Sequence, residues 1–304
     1  MKVVLLSGGG GGARFARGLA EVLPAGDLTV VGNVGDDLEI LGVNVSPDLD
    51  SLLYTLAGLI DDERGWGRGG ETWNALASAG SWGGDDWFRL GDLDIGLHLV
   101  RTEMLGSGLP LSEVTARLVE KAGLSSRILP ATNDRLRTHV HTTAGEFPFQ
   151  EWFVGRAHED DVDAVRYEGA DDVKPAPGVL EALADAATIL IAPSNPYLSI
   201  APILAVNEIR RALESRRSRC VAVSPLVGGK AVSGPLDRML SRMAGGTTPA
   251  HVTDCYLGLI DALLIDEADA PAEADVELAV TTTLMDNRDA ARRLAEKALE
   301  VACG

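Results

Sequence analysis

The chain opens with Lys2-Val-Val-Leu-Leu-Ser7, continues through five glycines, Gly8-Gly9-Gly10-Gly11-Gly12, and enters a helical pattern at Ala13-Arg-Phe-Ala-Arg-Gly-Leu19. The apolar run is typical of a buried strand, and glycines let the backbone turn sharply and bring bare N–H groups close to an anion. The following helix adds unpaired first-turn N–H groups and the positive end of its dipole. This order of strand, glycines and helix predicts a phosphate-binding loop.

Further apolar runs alternate with turn residues and helical stretches. The apolar runs lie at 28–33, 188–193, 219–224 and 261–266, and the helical stretches at 13–23, 198–214, 235–243 and 286–302. This alternation predicts an α/β fold, a Rossmann-like and mostly parallel sheet with helices on both faces. Two runs at 136–142 and 147–154 flank Ala144-Gly145-Glu146, which predicts one antiparallel hairpin.

The pattern changes between Ser51 and Ser125, where leucines recur at helical spacing around a stretch rich in Gly and Trp. We interpret residues 51–125 as a helical insertion, and residues 1–50 and 126–304 as the nucleotide-binding domain. The insertion holds four of the five tryptophans, at positions 66, 73, 82 and 87. They form either the insertion's own core or a flat wall for a ring-shaped ligand, and packing is the commoner role.

Composition restricts the partners. The chain has 304 residues, and 45 acidic against 27 basic residues give a net charge of −18, which repels polyanions and argues against a nucleic-acid partner. The three cysteines show no paired spacing, and no run approaches the roughly 18 apolar residues of a membrane span. We therefore expect a cytoplasmic protein with no membrane association that acts on small molecules.

Four carboxylates follow the second apolar run within a short distance. Asp36 and Asp37 come first, and Asp48 and Asp50 flank Leu49, where an extended chain would direct both carboxylates to one side. Such hard oxygen ligands suit Mg²⁺ held together with substrate phosphates. Asp48 and Asp50 also precede a helix, so capping and dipole interactions are the alternative for each of them taken singly.

Other candidate positions lie in loops. Arg89 is a candidate clamp for a ligand oxygen, with a salt bridge to a nearby aspartate as the alternative. Ser194 and Asn195 follow one late strand, and a loop that contains Gly228 follows the next. Because strand-end loops of an open α/β sheet converge on one crevice, we expect these residues to line it. His139 and His141 alternate on the hairpin, where a surface position is favoured over a zinc site.

Taken together, these segments resemble the 2-phospho-L-lactate transferase family of deazaflavin (coenzyme F-420) biosynthesis. The resemblance rests on segments that span nearly the whole chain in the same order: the N-terminal Leu6-Ser-Gly-Gly9 loop, Ser46-Pro-Asp-Leu-Asp-Ser51, Leu90-Gly-Asp92, Ala192-Pro-Ser-Asn-Pro196, Val223-Ser-Pro225, Ser233-Gly-Pro235 and Leu284-Met285.

The resemblance implies a transferase that moves a phosphoenolpyruvyl or 2-phospholactyl group from a guanosine diphosphate donor to the ribityl hydroxyl of the deazariboflavin FO. It would release GMP with the assistance of Mg²⁺ and act as a homodimer. The resemblance makes the insertion 51–125 the acceptor pocket and places FO contacts on Asp50 and Arg89, with Asp50 orienting or deprotonating the hydroxyl. Asp37 and Asp48 are the metal candidates. Donor contacts fall on Gly8, Gly9, Gly10, Gly11 and Gly12, on Ser194 and Asn195, and on Gly228.

The sequence departs from the family pattern at one position, and two other functions remain open. The family loop often carries a Thr that Gly8–Gly12 lacks, so a hydroxyl contact to phosphate is either missing or supplied by Ser7. The glycines also satisfy G-x-G-x-x-A, with Asp36 near the position of a ribose-binding acid, which keeps an NAD(P)-dependent oxidoreductase open. A non-catalytic nucleotide-sugar-binding regulator on the same sheet is the third possibility.

Overall fold

The computed structural model describes all 304 residues. Its strands are Val3–Ser7 (β1), Leu28–Gly32 (β2), Leu38–Ile40 (β3), Val43–Val45 (β4), Arg127–Pro130 (β5), Arg137–Thr142 (β6), Gly145–Pro148 (β7), Val162–Glu168 (β8), Thr188–Ile191 (β9), Arg219–Val223 (β10), Leu226–Val227 (β11), Lys230–Ala231 (β12), Ala262–Asp266 (β13) and Glu277–Thr281 (β14). Its α-helices are Gly9–Val22 (α1), Pro47–Leu56 (α2), Asn74–Ser81 (α3), Asp92–Gly106 (α4), Leu111–Lys121 (α5), Val179–Asp185 (α6), Ala201–Leu204 (α7), Asn207–Glu214 (α8), Leu236–Met243 (α9), Pro249–Asp254 (α10) and Arg288–Cys303 (α11).

Seven strands form one sheet in the order β14-β13-β10-β9-β1-β2-β5, and every pair in it is parallel. The chain leaves β1 through α1 and enters β2, which lies next to β1 in one direction along the sheet. It leaves β9 and reaches β10 through α8, and β10 lies next to β9 in the opposite direction. Right-handed crossovers therefore place α1 and α8 on opposite faces of the sheet. The predicted α/β fold is confirmed, and the strand order reverses between β1 and β9.

The antiparallel strands lie outside this sheet. Strands β7, β6 and β8 form a separate three-stranded sheet, so the predicted hairpin is present, but its second strand ends at Pro148. The chain then forms a π-helical turn over Glu151–Gly155, which buries Trp152 against Val140 and Leu198. The expected strand over 147–154 is wrong beyond Pro148 because this turn lets Trp152 pack beneath the small sheet.

The expected helix over 198–214 is also divided. A π-helical turn over Pro196–Ile200 precedes α7, and α8 begins only at Asn207. Pro202 lies in the first turn of α7, where its missing N–H costs no helical hydrogen bond.

The segment 51–125 is helical, as expected, with α3, α4 and α5 inside it. Helix α2 begins at Pro47 and packs against α1 and β2, so the boundary drawn at residue 50 falls within a helix of the main core. None of the helices combines the length and the apolar character that a membrane crossing requires.

Candidate functional site

A cavity of about 690 Å³ opens where the strand order reverses. The loop after β1 contributes Gly8 to Gly11, and the loop after β9 contributes Ser194 and Asn195. Ligands of open α/β sheets bind at this point, outside the carboxyl ends of the strands. The helical segment 51–125 and the turn that follows β7 also line the cavity.

The glycine loop is held tightly against its surroundings. A Cβ at Gly11 would lie 2.8 Å from the Pro193 carbonyl oxygen, and Gly9 has a φ of +69°. Gly12 lies behind the loop and does not line the cavity, and Ser7, whose hydroxyl is buried beside Gly12, does not line it either. The Ser7 hydroxyl is therefore not the replacement for the missing Thr in this structure.

The first turn of α1 faces the cavity with backbone N–H groups. Gly8 offers no capping side chain, and Asp48 Oδ1 accepts a hydrogen bond of 2.7 Å from Gly9 N–H. The first N–H groups of a helix lack intrahelical acceptors, so those of Gly10 and Gly11 are available to an anion.

Asn33 joins two of the carboxylates. Its Nδ2 donates to Asp36 Oδ1 and to Asp48 Oδ2, each at 2.9 Å, and its Oδ1 accepts from Gly35 N–H. Burial, followed by the charge of Asp48, raises the pKa of Asp36 well above its usual range. Burial also raises the pKa of Asp48 to about 6, although hydrogen bonds from Gly9 and Asn33 act in the opposite direction. Both side chains line the cavity.

Asp37, the other predicted metal ligand, does not line the cavity. Its Oδ2 accepts a hydrogen bond of 2.9 Å from Ser46 Oγ, and its Oδ1 is buried without a partner. Burial raises the pKa of Asp37 to about 7. The structure thus brings Asp36, rather than Asp37, next to Asp48 at the cavity wall.

Asp50 lies at the junction of sheet and helical segment and forms a buried ion pair with Arg101 of α4. Arg101 Nη1 donates to Asp50 Oδ2 at 2.9 Å, and Nη2 donates to Oδ1. Ser46 N–H donates to Oδ2 at 3.3 Å. Burial acts to lower the pKa of Arg101, but the Asp50 carboxylate outweighs it and raises that pKa.

A second polar cluster continues from this ion pair along α4. His98 Nδ1 lies 3.1 Å from Arg101 Nη1, and Tyr54 donates a 2.5 Å hydrogen bond to Asp94 Oδ1. Burial lowers the pKa of His98 to about 4 and raises that of Asp94 to about 6. Tyr54, Asp94 and His98 all line the cavity.

Aromatic side chains form the wall of the cavity opposite the sheet. Of the four tryptophans considered above, Trp66 and Trp87 line it, while Trp73 packs against Trp66 and Trp82 is 88% exposed. Phe149 and the stacked Phe153 come from the turn after β7, with ring centroids 5.1 Å apart. Sequence reasoning missed these two residues, although the aromatic density of Phe147-Pro-Phe-Gln-Glu-Trp-Phe153 is visible in the sequence.

Two arginines line the cavity. Arg89 is exposed and forms no salt bridge to Asp92 or Asp94, so the structure does not adopt that alternative. Arg14, which sequence reasoning did not select, lies on α1 beyond the glycines and forms no ion pair. Its guanidinium reaches Gly65, because a Cβ there would lie 2.6 Å from Arg14 Nη2.

The late loops meet at the same cavity. Ser194 Oγ donates to the Gly8 carbonyl at 2.6 Å, and Asn195 Oδ1 caps the next turn by accepting from Tyr197 N–H. Gly228 has a φ of +59° in the turn between β11 and β12 and does not line the cavity, whereas its neighbour Val227 does. On the small sheet, His139 and His141 of β6 pair with glutamates of the neighbouring strands.

Fold and site define a doubly wound α/β protein whose ligand cavity lies at the reversal of strand order and is lined by the N–H end of a helix and by aromatic rings. The chain belongs to the 2-phospho-L-lactate transferase CofD family, which it matches over residues 3–302. It is therefore a transferase enzyme of the family that serves coenzyme F-420 biosynthesis, which favours the transferase over the oxidoreductase and the regulator.

The names of curated relatives agree with this assignment, and a solved structure shares the fold. The phosphoenolpyruvate transferases of Streptomyces griseus and Streptomyces coelicolor are 44% and 42% identical to this chain, each over 99% of it and 98% of their own length. The phosphoenolpyruvate transferase of Mycolicibacterium smegmatis is 39% identical over 99% of both chains. A crystal structure of protein BH3568 from Bacillus halodurans covers 98% of this chain and 99% of its own, with a TM-score of 0.65 and 18% identity, and shares the fold.

Proposed function

We propose that the enzyme transfers a phosphoenolpyruvyl group from a guanosine diphosphate donor to the ribityl hydroxyl of FO and releases GMP. The observation that supports this most directly is a single cavity that both the N–H end of α1 and aromatic rings line. The names of the actinobacterial relatives support an enolpyruvyl rather than a lactyl donor.

In this proposal the diphosphate of the donor lies at the first turn of α1. Gly10 and Gly11 offer backbone N–H groups there, and Arg14 offers a guanidinium that no carboxylate of the chain neutralises. Arginine suits phosphate because its planar donors match the oxygens in pairs. The loops at Ser194, Asn195 and Gly228 would contact the nucleoside.

The residues at the cavity fit a divalent cation that is shared with substrate. No cluster of three or more His, Cys, Asp or Glu side chains is arranged to hold a metal ion alone. Mg²⁺, however, is commonly held by one or two carboxylates together with phosphate and water. Asp48 and its neighbour Asp36 supply such a pair, and bound Mg²⁺ would neutralise phosphate charge during transfer. Asp37 remains a candidate only if its side chain turns toward the cavity.

Asp50 would orient the acceptor hydroxyl. A carboxylate offers about four lone-pair positions, and Arg101 and Ser46 already donate to three of them. The remaining position on Oδ1 can accept a hydrogen bond from the FO hydroxyl and take its proton as that oxygen attacks the donor phosphorus and the bond to GMP breaks. Phosphoryl transfer depends chiefly on such positioning and on electrostatics.

The test is to incubate the protein with Mg²⁺, FO and the enolpyruvyl or lactyl guanosine diphosphate donor, and to follow GMP by chromatography. We expect GMP release that requires FO and Mg²⁺ and is faster with the enolpyruvyl donor. Calorimetry should show that GDP binds more tightly with Mg²⁺ and that NADH does not bind. NADH binding without GDP binding would contradict the proposal. Arg14→Gln should weaken GDP binding, and unchanged affinity would remove Arg14 from the donor site.

We also propose that the enzyme works in the cytoplasm as a homodimer. Exposed apolar side chains on the helical segment support a partner surface there, with Trp82 88%, Leu99 57% and Val100 47% exposed. Light scattering coupled to size exclusion would give the mass in solution, and a monomer at micromolar concentration would contradict the dimer.

A further inference from the structure

His98 has one ring nitrogen that is bound and one that is not. Nδ1 lies 3.1 Å from Arg101 Nη1, and because a guanidinium only donates, Nδ1 must accept. The proton of the neutral ring therefore sits on Nε2. Nε2 is buried and has no hydrogen-bond partner, and the His98 side chain as a whole is 1% exposed.

The nearest groups do not satisfy this Nε2–H. Asp94 Oδ1 is 3.6 Å from it, beyond hydrogen-bond distance, and already accepts from the Tyr54 hydroxyl. Asp94 Oδ2 has no hydrogen-bond partner within the chain. Asp50 lies on the other side of the ring, 3.8 Å from Nδ1. His98 and Asp94 line the same cavity as Asp50.

We infer that His98 is an acceptor-binding residue whose Nε2–H donates to a hydroxyl oxygen of the ribityl chain. A hydroxyl group both accepts and donates, so the same hydroxyl can accept from Nε2–H and donate to Asp94 Oδ2. This arrangement would satisfy a buried donor that otherwise carries a desolvation penalty. Nδ1 binding to Arg101 fixes the tautomer that makes the contact possible. The inference rests on the proposed function, because it needs a polyol acceptor.

The first test is kinetic. In His98→Gln we expect the KM for FO to rise roughly three- to tenfold, which corresponds to one neutral hydrogen bond, while GDP affinity stays within twofold of wild type. His251→Gln is the matched control, since His251 does not line the cavity and its ring accepts a hydrogen bond from the Thr248 N–H at the start of α10. An unchanged KM for FO in folded His98→Gln would overturn the inference.

The second test uses wild-type enzyme and does not depend on the variant's folding. The chain has five histidines, and selective ¹⁵N labelling with long-range ¹H–¹⁵N correlation distinguishes the two ring nitrogens and the charged form. We expect the Nε2–H tautomer for His98 and a shift of its Nε2 resonance when FO is added without donor. An Nδ1–H or charged ring, or an Nε2 resonance that FO leaves unmoved, would overturn the inference.

The role of His98 and the proposed function can fail separately. If calorimetry shows FO binding while the His98 resonance does not move, the role of His98 is wrong and the proposed acceptor stands. If FO does not bind at all, with or without GDP, the proposed function fails and the role of His98 fails with it.

Discussion

Replacing Asp50 by Asn tests the ion pair at the centre of the site. Asp50 and Arg101 are 5% and 2% exposed, and Arg101 donates to both carboxylate oxygens. Asn keeps the shape and one acceptor oxygen but removes the charge, and the guanidinium cannot lose its proton to compensate. The variant therefore leaves a buried cation without its partner.

The expected loss follows from the burial of both groups. Breaking a buried ion pair by removing one partner costs about 3–5 kcal/mol. We expect the lower end of this range, because the negative charge of Asp37 also stabilises Arg101. If Asp50 only capped α2, Asn would serve nearly as well and the loss would be a few tenths of a kcal/mol. The two interpretations thus differ by a measurable amount.

Urea denaturation followed by circular dichroism gives the free energy of unfolding, and GMP release gives the turnover of the same preparation. Asp62→Asn is the control: its side chain is 61% exposed and pairs with Arg17 and Arg288, so its loss should be under about 1 kcal/mol. Turnover of Asp50→Asn should fall by roughly two to four orders of magnitude, with GDP affinity nearly unchanged. A variant as stable and as active as wild type would refute both the ion-pair argument and the role of Asp50.

Three further outcomes follow from the geometry. Gly11→Ala should abolish GDP binding because its Cβ would lie 2.8 Å from the Pro193 carbonyl oxygen. Gly10→Ala should leave GDP binding in place, because the nearest atom to its Cβ is 3.5 Å away. Equal GDP affinities of the two variants in calorimetry would contradict this. Arg89→Ala should raise the KM for FO without changing GDP affinity. If the affinities for FO and for GDP fall equally, Arg89 lies at the phosphates instead. Burial holds the pKa of His98 near 4, against 6.5 in the unfolded chain. The free energy of unfolding of wild type should therefore fall by about 3 kcal/mol relative to that of His98→Gln as the pH drops from 6.5 to 4. Parallel curves of stability against pH would show that the ring is not desolvated.

The central strands were predictable because they are buried on both faces. Val3–Ser7, Leu28–Gly32 and Thr188–Ile191 are fully buried and read as continuous apolar runs. Strand β8 was missed because its residues are mostly partly or fully exposed, so charged side chains interrupt the apolar pattern. Strand β14 was missed because its apolar run is only Leu278 to Val280 and its residues are partly or fully exposed at the edge of the main sheet.

The part of the site that backbone N–H groups form was predictable from the sequence, and the part that buried side chains form was not. Five glycines between a strand and a helix indicate an anion site without any knowledge of the fold, and the loop lines the cavity. Asn33, His98 and Arg101, by contrast, acquire their importance from contacts across the chain, such as the pair between Arg101 and Asp50, 51 positions apart. On a helix, His98 and Arg101 look like ordinary polar positions, because sequence spacing does not show which side chain will be buried against which charge.

The charge of the cavity leads to a final prediction about pH. Asp36 and Asp48 line the cavity near the glycine loop, where the proposed donor phosphates lie, and an anionic donor can approach them only if they are protonated or a cation intervenes. Burial raises the pKa of Asp48 to about 6, so without Mg²⁺ GDP should bind more tightly as the pH falls from 7.5 to 5.5. With Mg²⁺ the trend should reverse, because protons then compete with the metal for the same carboxylates.

Calorimetry at three pH values, with and without Mg²⁺, measures both trends. Asp48→Asn separates the contribution of Asp48 from the rest, since the variant should retain only the titration of Asp36 and of the GDP phosphate itself. If wild type and Asp48→Asn show the same pH dependence in both conditions, Asp48 neither repels the donor nor holds the cation.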